Sequence, residues 1–179
     1  ASDVYKRQFL KFIGGLNPLT FYRKMKDVAL FAFSTSSSAA TIPVTLRTVN
    51  QDLGVNQNVA SFVVPVGATI NMDGTAIMQG LATVFIAQMS GIDLTLFQYI
   101  QVVLLAVATS IGTAAVPSAG TITLIIILQQ FNLPLEAIGI ILAVDRVLDM
   151  IRTSVNVTGD AAIACIVAKT ENQLDENIF

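Results

Sequence analysis

Apolar runs dominate the chain, and short polar stretches interrupt them. The sharpest pattern lies in residues 145–160, DRVLDMIRTSVNVTGD. At about 100° per residue, Asp145, Asp149, Arg152, Asn156 and Asp160 fall within roughly 80° of arc. Val144, Val147, Leu148, Ile151 and Val155 take the other side. With apolar flanks at 138–144 and 161–168, the pattern predicts a helix over about 136–169 inside a hydrophobic medium. Its charged stripe then has to face something worth the desolvation.

Upstream, residues 9–15 read as the end of a preceding helix, and Asn17-Pro18 as a turn. Residues 28–33 and 39–45 are apolar halves around the serine-rich stretch STSSS at 34–38, with Arg23, Lys24 and Lys26 before them and Arg47 after. The excursion is too short for two membrane crossings. It predicts a re-entrant helical hairpin over about 21–49, the alternative being one polar-tolerant helix through 28–46. Residues 59–68 start a second apolar segment that breaks at TINMDGT, 69–75, and resumes at 76–87. This predicts a helix over about 57–89 with an unwound centre, where Asn and Asp oxygens and freed carbonyls suit a cation. Apolar halves at 96–108 and 121–129 around a Gly/Ala/Pro/Ser stretch predict a second hairpin over about 95–130. Residues 170–179 form a polar tail. Residues 1–8, ASDVYKRQ, lack the apolar character of the rest of the chain and read as a doubtful boundary segment.

The two halves share a letter pattern. Ser36-x-x-x-Ala-x-x-Pro43 recurs as Ser110-x-x-x-Ala-x-x-Pro117, and each copy is followed by a helix with a polar midpoint. Such paired repeats, often inverted, are common in secondary transporters, whose binding sites sit at the broken segments.

Composition sharpens this picture. Of 179 residues 54% are hydrophobic and only 12% charged, about half the charge of an ordinary soluble domain. The mean hydropathy is +0.70. The expected fold class is therefore an all-α membrane protein: two re-entrant helical hairpins and two transmembrane helices, one with an unwound centre, arranged as paired inverted repeats. The expected location is the plasma or inner membrane, multi-pass, with the lipid bilayer as partner. A net charge of -2 argues against nucleic acid. Without histidine and with one cysteine, a zinc or transition-metal site is not expected, nor is any cofactor. An enzyme is not expected either: no catalytic triad can be built, and Gly112-x-x-x-x-Pro117 is not a phosphate loop.

The candidate chemistry is ionic. Arg152 keeps its charge in any environment and can grip a carboxylate through two parallel donors. Asp149, one turn earlier, can steady Arg152 or accept an ammonium, so the two suit a zwitterion with a second acid group. A purely structural pair is the alternative, but it leaves Asp145, Asn156 and Asp160 without a role. Asp160, Asn156, Asn71, Asp73 and carbonyls near Gly67 and Thr69 form an oxygen-only set that meets the modest demands of sodium. Proton coupling stays open, since a buried carboxylate can instead protonate. The tips offer backbone N–H groups to an anion, and Gly112, Ala119 and Gly120 let the second tip move. A channel-like protein or a receptor that binds a zwitterion is the competing class.

Four stretches carry a closer resemblance: SSSAATIP at 36–43, PVGATINMDGT at 65–75, SIGTAAVP at 110–117 and residues 145–160. Together they resemble the dicarboxylate/amino acid:cation symporter family, which includes the sodium-coupled glutamate/aspartate transporters. The resemblance runs from about residue 9 to 169. It implies part of a transport domain, comprising hairpin 1, helix 7, hairpin 2 and helix 8, that moves like an elevator against a scaffold in a homotrimer. By position it implies substrate contacts at Ser38, Thr75, Val116, Gly120, Asp149, Arg152, Thr153 and Asn156. One sodium would be held by Gly67, Asn71, Asn156 and Asp160, a second by Thr69, Ser110, Ile111 and Thr113, and a third in part by Asp73 and Asn71. Ala115 departs from a glycine common in prokaryotic members, which implies a stiffer second tip. The implied function is symport of glutamate or aspartate with sodium; a proton-coupled dicarboxylate or cystine carrier is the alternative within transport.

Overall fold

The structure, a computed structural model, describes residues 2–179. Its elements follow the breaks in the hydrophobic pattern. Helix α1 (Ser2–Phe12) leads to a first hairpin of α2 (Pro18–Thr35) and α3 (Ser38–Gln51). Helices α4 (Gln57–Ile70) and α5 (Asp73–Met89) come next, then a second hairpin of α6 (Leu96–Ile111) and α7 (Ala119–Gln130). A short 3-10 turn (Leu135–Ala137) opens into the long α8 (Ile138–Thr170).

Side-chain caps fix several of these starts. The Asn17 side chain accepts from Leu19 N–H, with Pro18 at the first helical position. Ser37 caps α3 through Ala40 N–H, and Thr95 with Gln98 makes a full capping box on α6. Each hairpin tip turns on a serine in the left-handed region, Ser36 (φ 52°) and Ser118 (φ 60°). A side chain there costs on the order of 1 kcal/mol, so both tips store some strain. These turns also show where the letter repeat misleads. Ser110, the partner of Ser36 by letters, lies in the last turn of α6, while the second tip turns at Ser118.

Two apolar clusters sit at either end of the polar seam on α8. One joins Phe21, Met25, Val28 and Ala32 of α2, Val64 of α4, and the small residues Ala161, Ala164, Cys165 and Ala168 of α8. The small side chains let α2 approach α8 closely. The other joins Ile86 of α5, Ala106 of α6, Leu124, Ile127 and Leu128 of α7, and Ile141 of α8. Between them α8 buries Asp145, Asp149, Arg152, Thr153 and Asn156.

The all-α class stands, but the transmembrane helices and the multi-pass membrane location expected from hydropathy do not. Among the described residues no helix is long and apolar enough to cross a membrane. The reason lies in the interruptions. The break after Ile70 divides the segment 57–89 into helices of 14 and 17 residues. At 1.5 Å per residue these reach only about 21 and 26 Å, short of the roughly 30 Å of a hydrocarbon core. α8 has the length, with 33 residues, but its middle carries Asp145, Arg146, Asp149, Arg152 and Asp160. α2 carries Arg23, Lys24, Lys26 and Asp27 within 18 residues. The sequence showed the break at 69–75 and the charged stripe at 145–160, but the apolar halves around them were counted together as single crossings.

Candidate functional site

Four polar interruptions converge on one cavity. Ser36 and Ser38 come from the first tip, Met72 and Thr75 from the α4–α5 junction, and residues 113–116 with Gly120 from the second tip. The seam of α8 supplies Asp149, Arg152, Thr153 and Asn156. The free space among them is about 10 Å³, room for roughly one water, so the tips are closed. All eight residues that the sequence singled out for substrate therefore line a single cavity.

Arg152 is the charged centre. It is 5% exposed, and its Nε donates to Asp149 Oδ1 at 3.1 Å. Nη2 also bonds Asp149 Oδ1 and stands 4.0 Å from Asp145 Oδ1. Asp145 is buried in turn and accepts a hydrogen bond from Thr121 of α7. Nη1 is different: it is buried and has no hydrogen-bond partner among the described residues. A charge-bearing donor left so is costly unless a ligand completes it. Gly120 passes close to it, since a Cβ there would lie 2.6 Å from Nη1. The Ser36 hydroxyl, on the opposite tip, is a second buried group without a partner among the described residues.

The closed tips occupy one another. Ala115 O accepts from Ala39 N–H at 3.1 Å and from Ser37 Oγ at 3.0 Å, which joins the two hairpins. Ser118 N–H donates to Asp149 Oδ2 at 2.8 Å. The carboxylate read as an ammonium acceptor is thus held by the second tip's own backbone.

The residues proposed for cations group less uniformly. Asn71 Nδ2 donates to Asp160 Oδ1 at 3.0 Å, and Gly67 lies against the same carboxylate, where a Cβ would come within 2.7 Å. Asn156 points away from this pair. It accepts from Gly74 N–H at 2.8 Å and donates to Thr75 Oγ1 at 3.2 Å. Thr69 and Ser110 turn their hydroxyls onto carbonyls of their own helices, Thr113 in the second tip bonds Thr109 O and Thr123 Oγ1, and the Ile111 side chain is exposed. Asp73 meets Lys6 of α1 at 2.9 Å and the Tyr5 hydroxyl. Among the described residues no group of three or more His, Cys, Asp or Glu gathers as a metal site. The set at Gly67, Asn71 and Asp160 offers one buried carboxylate that takes a single side-chain donor, from Asn71. One carboxylate is too few for a resident divalent ion.

Gln79 was not singled out by the sequence. It is fully buried on α5, and its amide bridges both limbs of the second hairpin. Nε2 donates to Gly120 O at 2.9 Å and Thr123 Oγ1 at 2.7 Å, while Oε1 accepts from Thr109 Oγ1 at 2.9 Å. Its only signal in the sequence is a single neutral amide in an apolar stretch of helix, too weak to single it out.

A profile of the sodium:dicarboxylate symporter family matches residues 7–170. An excitatory amino acid transporter of Caenorhabditis elegans is 48% identical over 151 residues, covering 84% of this chain and 30% of that protein. Excitatory amino acid transporter 2 of Homo sapiens is also 48% identical over 151 residues, covering 84% of this chain and 26% of its own length. Excitatory amino acid transporter 3 of Mus musculus is 48% identical over 153 residues, with 86% and 29% covered. The chain thus spans between a quarter and a third of the length of these relatives. On a match that takes in both hairpins, the α4–α5 junction and the whole polar seam of α8, the chain belongs to the sodium:dicarboxylate symporter family, whose members are transporters and not enzymes.

Proposed function

We propose that this chain is the substrate-holding part of a secondary active symporter that carries an acidic amino acid, glutamate or aspartate, together with sodium. One observation carries the reading: the buried Arg152 Nη1 has no hydrogen-bond partner among the described residues, and Arg152 lines a cavity whose polar groups include hydroxyls, the Asn156 amide and the Asp149 carboxylate. A side-chain carboxylate of the substrate would complete the guanidinium. Its ammonium would take Asp149 Oδ2 from Ser118 N–H, and its α-carboxylate would lie among the N–H and hydroxyl groups of the tips, near Ser38, Thr75 and Asn156. Val116, Gly120 and Thr153 would close the walls. Because the closed cavity admits roughly one water, substrate has to enter with a tip displaced.

Sodium enters the same reading as cargo. Gly67, Asn71 and Asp160 would hold one ion, with Asn156 turning toward it; Thr69, Ser110, Ile111 and Thr113 would hold a second; Asp73 and Asn71 would contribute to a third. An ion between the α4–α5 junction and the second tip would favour the ordered, closed tip, which couples cation to substrate. Assembly as a homotrimer, with this part moving like an elevator against the rest of the longer protein, belongs to the proposal as well. The names of the relatives, excitatory amino acid transporters, support the substrate class.

Calorimetric titration of the purified full-length parent tests the site. Aspartate is expected to bind in sodium and not in potassium, with serine and succinate far weaker. Equal binding of aspartate in the two salts contradicts the coupling.

A further inference from the structure

The polar stretch after α8 turns back onto the molecule. Gln173 N–H donates to Ala168 O at 2.7 Å, and the chain then runs antiparallel to the loop between α3 and α4. Asn56 N–H donates to Gln173 O at 3.0 Å, Asp175 N–H donates to Gly54 O at 2.8 Å, and Val55 bridges Leu174. Leu174 and Phe179 pack on the apolar cluster shared by α2, α3, α4 and α8. Lys24, half-buried on α2, adds a third element: its ammonium donates to Asp52 O at 2.8 Å and to Ile178 O at 2.5 Å. One cation thus holds the end of α3 and the returning segment together. The Lys169–Glu176 pair lies outside, with Glu176 largely exposed, and adds little.

Gly54 makes the approach possible. It sits at φ +71°, and a Cβ there would lie 2.4 Å from Asp175 O, a backbone atom of the returning segment. Any side chain at this position pushes that segment off the loop.

We infer that residues 173–179 are a strap that fixes the base of the first hairpin to the end of α8, with Lys24 as its clasp and Gly54 as the bend that admits it. The inference does not depend on what the cavity binds. Its importance is leverage. The 18 residues of α2 place the tip about 27 Å from the base. A tilt of about 5° at the base moves the tip by about 2 Å at that length. Such a shift would break the hydrogen bonds of Ala39 N–H and Ser37 Oγ to Ala115 O, at 3.1 and 3.0 Å. Two short paired segments are not stable by themselves, so the clasp and the bend decide whether the strap holds.

The test is amide hydrogen exchange on the full-length parent, which needs neither substrate nor transport. Lys24→Met and Gly54→Ala are expected to raise exchange about tenfold at residues 173–178, as for loss of a hydrogen-bonded clasp, and to raise it at the distant tip, residues 37–41. Lys24→Arg, which keeps the charge, is expected to restore most of the protection. Lys26→Met, an exposed neighbour outside the strap, is expected to leave both segments unchanged. The inference fails if the strap loosens while the tip stays protected, or if residues 173–178 remain protected in both variants. Should Gly54→Ala not fold, Lys24→Met, a change of one half-buried surface side chain, carries the test alone.

Discussion

At Arg152 two guanidinium nitrogens are satisfied by Asp149, and Asp145 stands near one of them, while the third nitrogen has no partner among the described residues. That asymmetry fits a ligand anchor better than a structural pair, because a pair made only for stability would be expected to use its buried donors. Arg152→Ala in the full-length parent is expected to weaken aspartate binding about 10- to 100-fold, the worth of a charge-assisted hydrogen bond. It should leave serine binding nearly unchanged, so a competition assay that still prefers aspartate rejects the anchor. Gly120→Ala puts a methyl group 2.6 Å from Nη1 and 2.9 Å from Thr75 Cγ2. It is expected to cost aspartate affinity at least tenfold without lowering the melting temperature by more than a few degrees. Gly67→Ala crowds Asp160 at 2.7 Å, and the expected result is a several-fold rise in the sodium concentration that half-saturates aspartate binding. The seam of Asp149, Arg152 and Asn156 was legible because charged and amide groups at helical spacing in an apolar helix have no ordinary explanation. Gln79 was not, because one neutral amide barely alters a hydropathy profile and its partners are distant in sequence.

The second hairpin is held at the scale of elements by α5. Gln79 reaches Thr109 on one limb and Gly120 and Thr123 on the other, and Thr113 and Thr123 bond each other across the limbs at 3.0 Å. Gln79→Leu keeps the volume roughly constant but removes the three hydrogen bonds by which α5 joins the two limbs. It is expected to destabilise the closed tip by about 1–3 kcal/mol. Hydrogen exchange across residues 113–123 should then rise sharply while residues 38–51 of the first hairpin stay as they were. Uniform protection in both hairpins would show that Gln79 only fills space. The helical character of the tips' flanks was readable from apolar runs broken by small polar residues. The register of the two tips was not. Letters align Ser36 with Ser110, whereas the backbone turns at Ser36 and Ser118, because the left-handed turn is fixed by packing against α8 and the opposite tip.

Taken whole, the molecule packs its polar seam between two apolar clusters and leaves large apolar side chains on the outer faces of α5 and α6, among them Leu81, Phe97 and Leu104. That outward greasiness is what composition registered, and it led to crossing helices that the breaks and charges do not permit among the described residues. The break at 69–75 and the charges at 145–160 were visible in the sequence; the length of each unbroken apolar helix, which they limit, is what decides. The central claim is that the cavity around Arg152 serves sodium-coupled movement of an acidic amino acid. It is tested most directly by uptake of labelled aspartate into vesicles reconstituted with the full-length parent, first with sodium outside and then with potassium. Accumulation only with an inward sodium gradient, blocked by unlabelled glutamate and not by serine, is the predicted result. Accumulation that ignores sodium and follows an imposed pH gradient would contradict it.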